Sequence, residues 1–268
     1  MAFKQVYTTD HSTNVIRTHG WRTIANSAAY VLPVLRPDMK ILDVGCGPGS
    51  ITIDFAQRCP QGHVIGVEYI EDPLPGARAG AEAAGLKNIE FQVGDVHDLP
   101  FPDDTFDLVH VHQVLQHVDD PVHALKEMRR VCKPGGIVAA RESDALSWYP
   151  DSEGIALWAA TDKKMRADKG GDPHCGRKIH VFAKQAGFEL DKIKRSAGSW
   201  CFSTREEREY WGGSMGARAQ SSGFAETAVK DGYLTKEQVT KIVDGWREFV
   251  EDENAWFGLM NGEILCTK

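Results

Sequence analysis

From residue 40 onward, two hydrophobic periods alternate along the chain. Short runs rich in β-branched residues, KILDVG, HVIGVEY, IEFQVG, FDLVHVH and GGIVAARES, are separated by stretches whose apolar positions recur at helical spacing. These helical stretches start near Ser50, run through Ala77–Ala84, and extend from about Pro121 to Val131. Such alternation predicts parallel strands with helices on both faces, an α/β fold.

Two regions fall outside the alternation. Residues 11–36 read as one or two helices ending at Pro33 and Pro37, and they carry His19, Trp21, Arg22 and Asn26 ahead of the first strand. Residues 203–254 read as helices opened by the capping sequence Ser203-Thr204-Arg205-Glu206. They are rich in aromatics, at Tyr210, Trp211, Phe224, Tyr233, Trp246 and Phe249, and WFGLMNGEILCTK follows as a closing strand. The expected organisation is a single domain over 1–268. It has a helical cap at 1–37, a cofactor-binding core at 38–202, a helical lid inserted at 203–254 and a closing strand at 255–268. Packing of the same aromatics onto the sheet is the alternative to a lid.

Composition narrows the class. The 268 residues carry 31 Lys+Arg against 38 Asp+Glu, a net charge of -7. That balance disfavours a protein that wraps phosphate backbones, so no nucleic-acid partner is expected. No apolar run reaches the roughly 18 residues of a membrane helix, and MAFKQVYTTDH lacks the apolar core of a secretion signal; a cytoplasmic location is expected. The cysteines at 46, 59, 132, 175, 201 and 266 form no C-x-x-C pair, which suits reduced thiols.

The strongest chemical signal is Ile41-Leu42-Asp43-Val44-Gly45-Cys46-Gly47-Pro48-Gly49-Ser50. An apolar strand runs into a glycine-rich turn that opens a helix, where backbone approaches a ligand closely and helix N–H groups are free. The next strand ends in Glu68, at the spacing where an acid reaches the two hydroxyls of a ribose. A dinucleotide fingerprint G-x-G-x-x-G would need glycine where Ser50 stands, which weighs against a nicotinamide oxidoreductase. Asp43 at the loop entrance would repel a pyrophosphate but suits a ligand with an amino group. S-adenosylmethionine, with its ammonium, sulfonium and ribose, matches that pattern.

Asp43–Gly49 resembles the first motif of class I S-adenosylmethionine-dependent methyltransferases. Gly94-Asp95-Val96-His97-Asp98-Leu99-Pro100-Phe101 resembles their adenine-contacting motif. Phe106-Asp107-Leu108-Val109 through Asp119-Asp120-Pro121, with Glu127-Met128-Arg129-Arg130-Val131-Cys132-Lys133-Pro134-Gly135-Gly136, is similar to the ubiquinone/menaquinone-biosynthesis branch. The resemblance covers about residues 38–142. It implies a Rossmann-like seven-stranded sheet, mostly parallel, with its last strand antiparallel. It also implies that Gly45, Gly47 and Gly49 shape the loop around the methionine moiety and that Asp43 helps hold its ammonium. Glu68 would take the ribose hydroxyls, Tyr69 would pack on the adenine, and Asp95, beside Gly94 and Val96, would accept from the adenine amino group. His112 would lie near the transferred methyl. Quinone-methylating relatives typically carry Arg and Asn at two polar positions where this chain has Gln116 and His117.

Methyl transfer requires a nucleophile held in line, exclusion of water and, where needed, removal of a proton. His117 is the candidate base, with His112 and His19 as rivals, and Gln116 would orient the acceptor. His19, Trp21, Arg22 and Trp211 are the candidate acceptor contacts. His110, His112, His117 and His123 lack the paired spacing of zinc motifs, so no metal is expected. The expected partner is a small organic acceptor, metabolite, phenolic or quinone-like, and the chain is a monomer or homodimer. A catalytically inactive cofactor-binding module is the competing reading.

Overall fold

The computed structural model describes residues 20–221 and 223–268, so His19 and the rest of 11–19 lie outside the described residues. The five apolar runs form β1 (Lys40–Val44), β2 (His63–Glu68), β3 (Ile89–Val93), β4 (Phe106–His112) and the first half of β5 (Cys132–Tyr149). Two further strands, β6 (Ile193–Phe202) and β7 (Trp256–Thr267), complete a seven-stranded sheet in the order β3-β2-β1-β4-β5-β7-β6. β7 runs antiparallel to both β5 and β6, while β1 to β5 are parallel.

That order contains a reversal. The chain builds outward from β1 to β3, then returns to lay β4 on the other side of β1. The connections after β1 and β4 therefore lead to opposite sides in the strand order and leave a crevice above the carboxyl ends of these strands, where open α/β sheets bind ligands.

Helices α1 (Ile24–Ser27), α2 (Ser50–Arg58), α3 (Leu74–Ala83), α4 (Pro121–Val131), α5 (Glu153–Asp168) and α6 (Ile179–Gln185) intersperse the strands. α4 starts where its sequence dictates. Asp120 caps it by accepting from the His123 backbone N–H at 2.8 Å, and Pro121 occupies the first turn, where a missing N–H costs nothing. The acidic-basic run that follows is structural: Arg130 donates to the carbonyls of Leu99 and Phe101 and pairs with Glu127, tying the loop after β3 to this helix.

Among the described residues of 11–36, the helical structure is one turn, α1, and a 3₁₀ run at Ala29–Val34 that contains Pro33. Pro33 and the aromatic and β-branched neighbours there offer little support for a regular helix.

The 203–254 region folds as α7 (Arg205–Ser221), α8 (Gly223–Lys230) and α9 (Lys236–Glu251). The cap of α7 falls one residue later than read: Thr204 accepts from the Glu207 N–H, and Glu207 accepts from the Ser203 and Thr204 N–H groups. Trp211, Phe224, Trp246 and Phe249 are buried in a second hydrophobic core with Trp200, Phe202 and Phe257 from the far ends of β6 and β7. Trp211 stacks on Phe202 at 4.4 Å, and Trp246 lies 5.4 Å from Phe257. These aromatics pack the helices onto the extended antiparallel end of the sheet. Among the described residues, no helix is long and apolar enough to cross a membrane.

Candidate functional site

One cleft occupies the switch between β1 and β4, and a second adjoins it. The first, enclosing about 1110 Å³ including space open to solvent, lies over the glycine loop. Asp43, Gly45, Gly47, Glu68, Tyr69, Gly94, Val96 and His112 all line it.

The loop's geometry follows from its contacts. Gly45 and Cys46 donate backbone N–H groups to the Val67 carbonyl, and Gly47 donates to Glu68 Oε2 at 2.9 Å. Glu68 Oε1 accepts from the Tyr69 N–H at 2.7 Å. One strand-end carboxylate thus clamps the glycine turn to β2. A side chain at Gly45 would run into Val114 of the loop after β4, so the two loops approach more closely than any other residue permits. Gly49 lies outside the cleft lining; a Cβ there would fall within 3 Å of Ala77 and Phe91, which makes it the contact glycine between α2, α3 and β3.

Asp43 is buried and already engaged. Its Oδ1 lies 2.7 Å from His110 Nδ1 and its Oδ2 accepts from the Thr52 hydroxyl at 2.6 Å. The carboxylate has further lone pairs toward the cleft. Asp95 lies outside the lining as well: its Oδ1 accepts from the His97 N–H and faces His97 Nδ1, both at 2.9 Å, which folds the loop that presents Gly94 and Val96. Because Glu68 clamps the glycine loop and lines the cleft, Glu68→Ala should weaken cofactor binding by about 1–3 kcal/mol with the fold retained. Calorimetry with the demethylated cofactor checks this, and unchanged affinity and melting temperature would reduce Glu68 to a solvated acid.

The second cleft, about 870 Å³ on the same measure, lies between the sheet and helices α5 and α7. Its walls are apolar and aromatic: Leu146, Trp158, Trp200, Trp211, Met215 and Leu259. Arg22, Gln113 and His117 line both clefts and form their junction. Trp21 lies away from both, packed edge-on against Trp200 at 5.6 Å and tilted against Phe202 at 5.3 Å.

Around the junction the polar groups are tightly ordered. Arg22 donates to Gln113 Oε1 at 2.9 Å, and its Nη1 stands 3.4 Å from His112 Nδ1. Gln113 adopts φ 55, a left-handed conformation unusual for a side chain of its kind, and donates to Asn261 on β7 at 3.0 Å. The Ser143 hydroxyl donates to Gln116 Oε1, which turns the Gln116 amide N–H toward His117 Nε2 at 3.1 Å. Burial holds the His117 imidazole well below its usual range, and the guanidinium groups of Arg166, Arg22 and Arg218 push it the same way. His117 is therefore a neutral imidazole at physiological pH.

Beneath this turn lies a residue the sequence reading missed. Glu142 is fully buried and accepts from the backbone N–H groups of Val114, Leu115 and Gln116 at 3.0, 2.9 and 3.2 Å. Burial pushes its carboxyl up to about 7, against the three N–H donors that pull it down. A charged Arg141-Glu142 pair inside an apolar strand was the available signal, because an ionisable group is rarely buried without a task. Among the described residues, no three His, Cys, Asp or Glu side chains cluster as metal ligands.

The cleft suits S-adenosylmethionine on its own geometry: a glycine at 47 whose missing side chain leaves open space, a strand-end acid at 68, and a buried carboxylate at 43. Comparison with known proteins points the same way. A family described as a methyltransferase domain matches residues 35–202. An uncharacterized methyltransferase of Schizosaccharomyces pombe is 35% identical over 264 residues, covering 95% of this chain and 93% of that protein. A demethylmenaquinone methyltransferase of Bacillus cereus is 38% identical over 125 residues, which cover 46% of this chain and 53% of that protein. A solved putative methyltransferase from Bacillus halodurans shares the fold, with a TM-score of 0.57 at 21% identity, over 89% of this chain and 97% of its own.

Proposed function

Because the chain belongs to the methyltransferase-domain family, as a class I S-adenosylmethionine-dependent enzyme, we propose that it methylates a small organic acceptor held in the aromatic chamber, with His117 receiving the proton. The observation that carries this reading is the junction: Arg22, Gln113 and His117 face the cofactor cleft on one side and the chamber on the other.

The residues divide the work accordingly. Gly45, Gly47 and Asp43 hold the methionine end, Glu68 takes the ribose, and Tyr69, Gly94 and Val96 frame the adenine. Asp95 and Gly49 act one step back, fixing the loops that make these contacts. S-adenosylmethionine, when bound, supplies a methyl group already activated by a positive sulfur. The chain's part is to orient the acceptor and exclude water, tasks for which the indole-lined walls and the wall of α5 and α7 are suited. His117 Nε2 carries the available lone pair, and Gln116, fixed by Ser143, holds the ring until the acceptor's proton takes its place. His112 lines only the cofactor side, with its Nδ1 toward Arg22, so it is a contact residue rather than the base. His117 in place of the Asn typical of quinone-methylating relatives favours a phenolic or other protic acceptor over a quinone.

The test is a mass-spectrometric screen of small-molecule acceptors with methyl-labelled cofactor. Label should appear on a small organic acceptor in step with formation of the demethylated cofactor. Tight cofactor binding without transfer across the screen would favour a binding module instead.

A further inference from the structure

The chamber's chemistry narrows the acceptor further. Alongside its aromatic walls it is lined by four cationic side chains, Arg22, Lys163, Arg166 and Arg218, and by two carboxylates, Asp144 and Asp162. Both acids are already matched. Asp162 pairs with Arg166 at 2.7 Å along one face of α5, and Asp144 is gripped by the backbone N–H and side chain of Arg177 outside the chamber. Lys163 makes no ion pair among the described residues, so it presents an uncompensated ammonium.

Two buried donors tell the same story. Among the described residues, the Trp211 indole Nε1 and the Arg166 Nε meet no hydrogen-bond acceptor, although Trp211 is only 7% exposed. A buried donor without a partner costs free energy unless a ligand or water completes it. Helical spacing brings the two sets together: Trp158, Asp162, Lys163 and Arg166 on one side of α5, and Trp211, Met215 and Arg218 at i, i+4 and i+7 on α7. Each helix therefore offers an aromatic ring and a cation to the same space, a combination suited to a flat ring that bears negative charge.

Resting on the reading above that this chamber receives the acceptor, we infer that the acceptor is an aromatic compound bearing an oxyanion, its ring among the indoles and its oxygens on Lys163, Arg166 and Trp211 Nε1. Net charge hides this, since the chain as a whole is at -7 while the chamber is cationic. The arrangement also couples recognition to proton transfer. Burial does most to hold His117 neutral, and Arg166, Arg22 and Arg218 add to it, so an oxyanion placed among those cations offsets their part of the depression and makes His117 a better base once the acceptor is in place.

The experiment measures binding rather than turnover. Protein saturated with the demethylated cofactor is titrated with hydroxybenzoates and hydroxynaphthoates, each beside its own primary amide, by tryptophan fluorescence and calorimetry. Acids are expected to bind at least tenfold more tightly than the matched amides. That preference should fall to within about threefold in Lys163→Gln and in the double variant Asp162→Asn/Arg166→Gln, which removes an ion pair without stranding either partner. Amides binding as well as acids, or no acid binding to the cofactor-loaded protein, would overturn the inference while leaving methyl transfer to a neutral acceptor intact. Failure of the demethylated cofactor itself to bind would overturn both readings. Acids that bind with the expected preference but are never methylated would support the recognition and count against the transfer.

Discussion

Gly47→Val abolishes binding of S-adenosylmethionine and of its demethylated product, while the fold is retained and the melting temperature falls only by what the backbone strain costs. The reasoning rests on what surrounds this one residue. Gly47 has φ 53, a conformation that costs a residue with a Cβ about 1–2 kcal/mol and a β-branched one more. Its N–H is the one Glu68 clamps, so backbone rearrangement there also loosens the strand-end acid. A Cβ at 47 meets no atom of the described residues within 4 Å, so their packing does not demand a glycine. What a valine there would strike is the occupant of the cleft. An affinity loss beyond about 100-fold, roughly 3 kcal/mol, is expected in calorimetry. Gly49→Val supplies the contrast: its Cβ would collide with Ala77 and Phe91, so it should lower the melting temperature whether or not ligand is present. Undiminished binding in Gly47→Val would remove the cleft from the cofactor site.

The difference between these two glycines shows where sequence reading stops. A spacing pattern groups Gly45, Gly47 and Gly49 as one motif, yet Gly45 makes room for Val114, Gly47 faces open cleft and Gly49 seats a helix. Only contacts from elsewhere in the chain separate them. Asp95 is similar: its place in the motif suggests adenine, and in the fold its Oδ1 also holds His97, a second task that spacing does not reveal.

The parallel strands were legible because each is an uninterrupted apolar run whose neighbours bury both faces. β5 was read only to about Ser143, since Glu142 and Asp144 break its apolar pattern. They are tolerated because Glu142 caps the turn at 114–116 and Asp144 holds Arg177, partners invisible in a linear scan. Two helices, α5 and α6, lay in a stretch to which no element was assigned, and α5 supplies much of the chamber's charge. Its apolar positions do not gather on one stripe, because one side meets the second core and another faces the chamber, so a helical period was hard to see. The Arg22–Gln113–Asn261 chain joins residues 91 and 148 positions apart, which periodicity cannot link.

His117→Asn lowers the rate of methyl transfer on the order of 10²-fold and removes one acid limb of the pH profile, with cofactor affinity unchanged. The sign follows from the environment. Burial and three guanidinium groups depress the His117 imidazole, so in the free enzyme it stays unprotonated as pH falls past about 6.5 and gains its proton only well below that. The limb in kcat/KM for the acceptor, which at saturating cofactor reports the cofactor-bound enzyme before the acceptor enters, should therefore lie on the acid side of an ordinary histidine. Glu142 titrates in the opposite sense. Its carboxyl is pushed up to about 7, so falling pH protonates it first and weakens its hold on the N–H groups of Val114, Leu115 and Gln116. A limb near pH 7 is thus expected as well; it should persist in His117→Asn and disappear in Glu142→Gln. Profiles of wild type and both variants at saturating cofactor separate the two groups. An unaltered rate and profile in His117→Asn would show that His117 is held at the junction for structure alone, and the proton would have to leave by another route.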